Sequence, residues 1–237
     1  MSNHALLNNI DHQALKIDTR HGKQLPEAYG DAVMSCMVYP AEFRNVQAHY
    51  PIFFQAREDG QMASVCLFGF EHGENLFLTD DGWEASYKPL MIQRQPFLIG
   101  PQQGESEQLA IYVDMDSPRV NDTQGEAVFL PHGGNSDFIN HIASVLQAIH
   151  QGEHHNKAFC AALEEKGLLE SFFLDISDAT GATHRLSGFL TINEEKLAEL
   201  DDETVLAFHK QGYWQAIHMI MASHSALNDL IKRKQQR

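Results

Sequence analysis

The stretch Tyr50-Pro51-Ile52-Phe53-Phe54-Gln55-Ala56-Arg57-Glu58-Asp59-Gly60-Gln61-Met62-Ala63-Ser64-Val65-Cys66-Leu67-Phe68-Gly69-Phe70 decides the fold class. Two apolar runs, Ile52-Phe53-Phe54 and the one from Val65 to Phe70, flank Asp59-Gly60, and a turn dipeptide between strand-like runs reads as a β-hairpin. The arrangement recurs downstream. Leu76-Phe77-Leu78 and Trp83-Glu84-Ala85-Ser86-Tyr87 flank Asp81-Gly82, where glycine would supply the positive φ of a tight turn. Phe97-Leu98-Ile99 and Leu109-Ala110-Ile111-Tyr112-Val113 form a third pair across the polar loop 102–108. Pro40 opens a short helix toward Val46, and residues 89–95 form another, stopped by Pro96. Strand signals dominate as far as residue 114 and predict an antiparallel meander.

Beyond Val120 the period lengthens. Phe138, Ile139, Ile142, Val145, Leu146 and Ile149 recur at three and four residues behind a Ser136 or Asn135 cap, which predicts an amphipathic helix ended by Gly152. Residues 156–166 predict a second helix, closed by Gly167. Phe172, Leu174 and Ile176 alternate toward Thr180-Gly181, and Leu186, Gly188, Leu190 and Ile192 alternate away from it, a further hairpin. Asp201-Asp202-Glu203 starts a helix that Gly212 breaks. Tyr213, Ile217, Ile220, Leu227 and Ile231 then make one apolar stripe to the C-terminus. Hairpins on both sides of the helical middle predict a single α+β domain over 1–237: an antiparallel hairpin-rich sheet in the N-terminal half, amphipathic helices and a further hairpin in the C-terminal half. Division into a β-rich 1–120 and a helix-rich 121–237 is the alternative.

Composition narrows the function classes. Seventeen basic against 32 acidic residues give a formal charge of −15, which repels nucleic-acid phosphates and anionic lipid. The one basic cluster, Lys232-Arg233-Lys234 with Arg237, ends a helix, where cations complement the macrodipole. No run approaches the ~18 apolar residues of a membrane helix, so no membrane insertion is expected. The N-terminus has neither a basic leader nor a continuous apolar run, and a cytoplasmic location is the expectation. Cys36, Cys66 and Cys160 are odd in number, widely spaced and set among apolar neighbours, as reduced core thiols are.

Reactive motifs are scarce. Fourteen histidines invite a metal hypothesis, densest at His150, Glu153, His154, His155 and Cys160, but a loop between two helices would scatter these side chains into solvent. His72-Gly73-Glu74 fits a His-x-Glu iron motif, although about two such matches arise by chance in this composition. Pro131-His132-Gly133-Gly134 lacks the Gly-x-Ser-x-Gly elbow that an oxyanion loop requires, and reads as loop and helix cap. No phosphate-binding loop, dinucleotide fingerprint or Cys-x-x-Cys pair occurs, and neither metal nor cofactor is expected. His218 and His224 fall on the last helical stripe, where a partly buried, hydrogen-bonded histidine competes with a ligand or acid–base role.

The stretch from Gly73 through Trp83, Tyr87, Pro89, Arg94, Pro96 and Phe97 to Gly100 resembles the signature of the SapC family. The likeness extends to Phe43, Tyr50-Pro51-Ile52, Ala158-Phe159-Cys160, the run from Leu186 to Ile192, and Gly212-Tyr213-Trp214. It implies association with bacterial surface-layer loci and assigns no reaction, ligand or catalytic residue. A peptide-import permease that shares the name spans the membrane repeatedly, which this chain does not resemble. Trp83, Tyr87, Pro89, Pro96 and Phe97 form either a hydrophobic corner or an aromatic groove with Arg94 at its rim. In the second case Trp83, Tyr87, Arg94 and Phe97 bind a peptide or protein carboxylate. The expected role is that of a non-catalytic binding or accessory protein for a protein or peptide partner, a second copy of the chain included. A histidine-based, metal-assisted enzyme site assembled by the fold is the alternative.

Overall fold

The computed structural model describes residues 3–25, 29–102, 105–177, 181 and 183–236, the side chains of 105–107 excepted. Thr180 of the late turn and Arg237 of the basic cluster lie outside them. In chain order the first elements are β1 (His4–Leu6), β2 (Lys16–Ile17), β3 (Ser35–Met37), α1 (Phe43–Val46), β4 (Ile52–Ala56), β5 (Met62–Leu67) and α2 (Leu90–Gln93). Next come β6 (Phe97–Gln102), β7 (Glu105–Asp114), β8 (Val120–Asn121), β9 (Glu126–Ala127) and α3 (Asp137–Glu165). The chain ends with β10 (Leu169–Ser177), β11 (Thr183–Ile192), α4 (Glu194–Ala198), α5 (Asp202–Gln211), α6 (Tyr213–Ser223) and α7 (Ala226–Gln235). This is an α+β fold whose strands all pair antiparallel.

Contacts gather into two compact units that interleave along the chain. One comprises Met1–Ala32, Leu78–Glu84 and Leu90–Gln151; the other comprises Val33–Phe77, Ala85–Pro89 and Gly152–Arg237. In the first unit β7 pairs with β1 and β6, and β2 pairs with β8 and β9. Phe97 and Val113, directly opposite across β6 and β7, are fully buried with Ile139, Ile142 and Leu146 of α3. The three-and-four spacing of those helical residues puts them on one face, which is why that face is the buried one.

The second unit is built on a five-stranded sheet of order β10-β11-β4-β5-β3. The β4–β5 hairpin forms as its sequence predicts, with Gly60 at φ 79° in the left-handed conformation that L side chains disfavour. The late hairpin joins it through Leu190 opposite Phe54, and the ring of Phe53 packs against Phe172 and Phe189 at centroid distances of 4.5 and 6.2 Å. Three of the four predicted hairpins therefore form, but β4–β5 and β6–β7 lie in separate sheets, so the N-terminal half is not one meander.

Three local expectations are corrected. The predicted helices to Gly152 and from 156 are one 29-residue helix, because Gly152 is buried against Tyr39, and close packing outweighs the weak helix propensity of glycine. The 76–87 segment forms no strand pair beyond a single Leu78–Trp83 bridge. The N–H groups at its start are engaged elsewhere, Leu76 N–H donating to Phe68 O and Phe77 N–H to the Asn75 side chain, and Gly82 does not adopt positive φ. The final stripe is interrupted at His224-Ser225, after which burial shifts from the expected Leu227 and Ile231 to Ala226, Leu230 and Lys234.

Candidate functional site

In the first unit the loop after β2 carries its own charges inward. Arg119 is buried, and its guanidinium donates to the carbonyls of Tyr29 (3.1 Å), Asp18 (3.0 Å) and Arg20 (2.9 Å) and to Asp31 Oδ2 (2.8 Å). Asp31 is fully buried and also meets His21 Nδ1 at 2.6 Å. An ionised carboxylate only accepts, so Nδ1–H is the donor of this contact. The His21 ring stands edge-on to Trp83 at 5.9 Å. Tyr29 takes φ 52°, unusual for a bulky residue, and donates its hydroxyl to Asp18 Oδ2 at 2.9 Å. The Arg20 hydrogen bonds hold the Asp18 carboxyl well below the usual carboxylate range, against the opposing effect of burial. The bonds of Arg119 over-determine the Tyr29 conformation, as such strain requires.

Tyr29 and Gly30 also line a cleft of about 400 Å³ within this unit, together with His4, Arg94, Gln95, Pro96, Leu98, Asp114, Asp116 and Ser117. Arg94 follows α2 and is half-buried, its Nη1 donating to Phe97 O at 2.8 Å. That bond orients a planar five-donor group at the cleft wall. Asp114 and Asp116 add acceptors, so the cleft offers both signs of charge.

The sequence candidates thus separate. Arg94 and Phe97 are joined, but through the Phe97 carbonyl, since its ring is part of the core. Trp83 belongs to the His21 neighbourhood. Tyr87 belongs to the second unit, where its hydroxyl donates to buried Glu42 at 2.8 Å, and burial, followed by the Glu42 charge, pushes its pKa upward. His224 stacks on Phe53 at 4.9 Å and donates Nε2–H to Ile52 O at 3.2 Å. Burial holds its pKa below the ordinary histidine value, partly offset by that hydrogen bond, so the ring is a neutral packing element. His218 is exposed and stacks on Trp214 at 5.8 Å.

The histidine-rich segment occupies the middle of α3 instead of a loop, with His154 and His155 exposed and Glu153 paired to Arg57. Glu74 of the His-Gly-Glu triplet binds Lys234 at 2.7 Å, and Glu71 binds the same ammonium at 3.0 Å. Burial opposes the Lys234 charge, but the two carboxylates prevail and raise its pKa. The basic cluster is therefore partly an internal ion-pair site. Among the described residues no group of three or more His, Cys, Asp or Glu is placed to hold a metal ion. No helix is long and apolar enough to cross a membrane among them.

The Arg119–Asp31–His21 cluster escaped the sequence reading because Arg119 lies 88 residues from Asp31 and no fixed spacing links them. A weak signal existed in the polar run Asp18-Thr19-Arg20-His21 directly after buried Ile17.

Two interleaved α+β units, one holding a polar cleft lined by Tyr29, Arg94, Asp114 and Asp116, define the class of protein. The family model for SapC matches residues 7–230, and the chain belongs to the SapC family. No curated protein and no solved structure matches it.

Proposed function

We propose that this SapC-family chain acts by binding, as a cytoplasmic, non-catalytic accessory protein for a protein or peptide partner, and that Arg94 receives a carboxylate of that partner. The observation that carries the reading is the Arg94 guanidinium, oriented by Phe97 O at the wall of the cleft. A pre-oriented guanidinium loses less freedom on pairing and matches both carboxylate oxygens. Asp114 and Asp116 in the same cleft would repel a bare anion. They favour a ligand that presents a donor beside its carboxylate, as the last residue of a peptide does with its amide N–H or a basic side chain. Trp83 of the same unit remains a proposed aromatic contact, and Phe97 acts through its carbonyl.

Calorimetric titration of a lysine-terminated peptide, with free and with amidated C-terminus, tests this. Wild type should prefer the free acid, and Arg94→Ala should weaken its binding by about tenfold or more, the scale expected when one partner of a desolvated charge pair is lost. Equal affinity of wild type and Arg94→Ala for the free acid removes Arg94 from the site.

The 2.6 Å His21–Asp31 contact favours a second reading, an enzyme with a histidine-based site. Asp31 would hold the tautomer in which His21 Nε2 accepts a proton, the arrangement of a general base. Stoichiometric zinc or iron retained through dialysis would favour a metal-assisted enzyme; a metal-free, fully folded sample favours binding.

A further inference from the structure

We propose that Cys36 and Cys66 are a redox-modification site that closes to a reversible disulfide. The two residues face each other across β3 and β5, with Sγ atoms 3.8 Å apart. Their backbone spacing follows from the ladder. Val38 N–H donates to Ser64 O at 3.0 Å and Phe68 N–H to Met34 O at 2.7 Å, which makes every second pair of this register a hydrogen-bonded one, Cys36–Cys66 included. Such pairs hold their Cα atoms about 5.5 Å apart, within the span of a disulfide. Closure therefore needs side-chain rotation and leaves the strand pairing in place.

The two sulfurs differ in access. Strand β3 is the outer strand of its sheet, and Cys36 is partly exposed while Cys66 is buried. Burial, and then the Cys36 sulfur, pushes the Cys66 thiol well upward, so Cys66 is the poorer first nucleophile. Cys36 meets the oxidant, for which hydrogen peroxide is the chemical class. The Cys36 thiolate attacks one peroxide oxygen and the O–O bond breaks, giving a sulfenic acid while the leaving hydroxide takes a proton to become water. The Cys66 sulfur then attacks the Cys36 sulfur. The S–O bond breaks, and the departing hydroxide leaves as water with the Cys66 proton. Two thiols and one peroxide become one disulfide and two waters, the sulfurs losing the two electrons that the peroxide gains. A dithiol reductant reverses the step by exchange. Cys160 provides the internal control, since burial pushes its thiol up to about 12.

The full chain, freed of reductant and treated with equimolar hydrogen peroxide, is analysed by thiol counting, intact mass and peptide mapping. We expect two of its three thiols to be lost, the mass to fall by two hydrogens, one cross-linked peptide to join Cys36 to Cys66, and dithiothreitol to restore the starting mass. Cys160→Ser should behave as wild type, and Cys36→Ser should lose the response. Should either variant fail to fold, the wild-type map decides by itself. Unchanged thiols, cross-links only between chains, or Cys36 carried to sulfinic acid while Cys66 stays a thiol would each overturn the proposal.

Discussion

Gly152 lies against the ring of Tyr39, where an added Cβ would stand 2.7 Å from Tyr39 Cγ. Tyr39 is itself almost wholly buried, at 1% exposure, so the ring has no space into which to retreat. The glycine that reads as a helix terminator is in fact the point at which a long helix makes room for an aromatic side chain.

This reverses the usual expectation for a glycine within a helix. On propensity alone Gly152→Ala stabilises by about 1 kcal/mol, whereas overpacking a closed site costs about 1–3 kcal/mol. We expect the variant to be less stable than wild type in urea unfolding. A higher midpoint at unchanged slope would mean that Tyr39 yields.

Arg119 should be the most sensitive charged residue of the first unit. Arg119→Met leaves the Asp31 carboxylate buried and three backbone carbonyls without their donor, and breaking a buried pair from one side costs about 3–5 kcal/mol. Arg119→Lys should recover only part of this, because a single ammonium cannot span four acceptors. Wild-type stability of the methionine variant in urea would show that the network is not structural.

The depressed pKa of His224 predicts a pH dependence of definite sign. Above the ordinary value of 6.5 the ring is neutral in both folded and unfolded chains, and its packing contribution is complete. As pH falls below that value the unfolded chain takes the proton first, so the contribution declines until the folded-state pKa is passed. The stability advantage of wild type over His224→Gln should therefore be largest above pH 6.5 and shrink on acidification. Equal differences at neutral and mildly acid pH would remove the titration from the account.

We propose that the two units unfold as one domain. Each is assembled from three chain segments, and α3 crosses from one to the other at Gln151/Gly152. Unravelling either unit disturbs the chain entering and leaving its neighbour. A single calorimetric transition with matching calorimetric and van't Hoff enthalpies is expected; two resolved transitions would overturn the proposal.

Local pattern determined much of this protein. The Asp59-Gly60 turn between β4 and β5, the apolar face of α3, the late hairpin and the Gly212 helix break follow from periodicity and from the conformational range of single residues, which neighbours in the chain suffice to set. Family membership was equally legible, because it resides in residue identities. Tertiary structure alone decided whether Gly152 ends a helix, whether residues 76–87 pair as strands, and which strands share a sheet. It also brought Arg119 to Asp31 and His21, and Cys36 to Cys66, across 88 and 30 residues of chain. Those outcomes depend on which distant atoms supply packing and hydrogen bonds, and a one-dimensional spacing does not encode them.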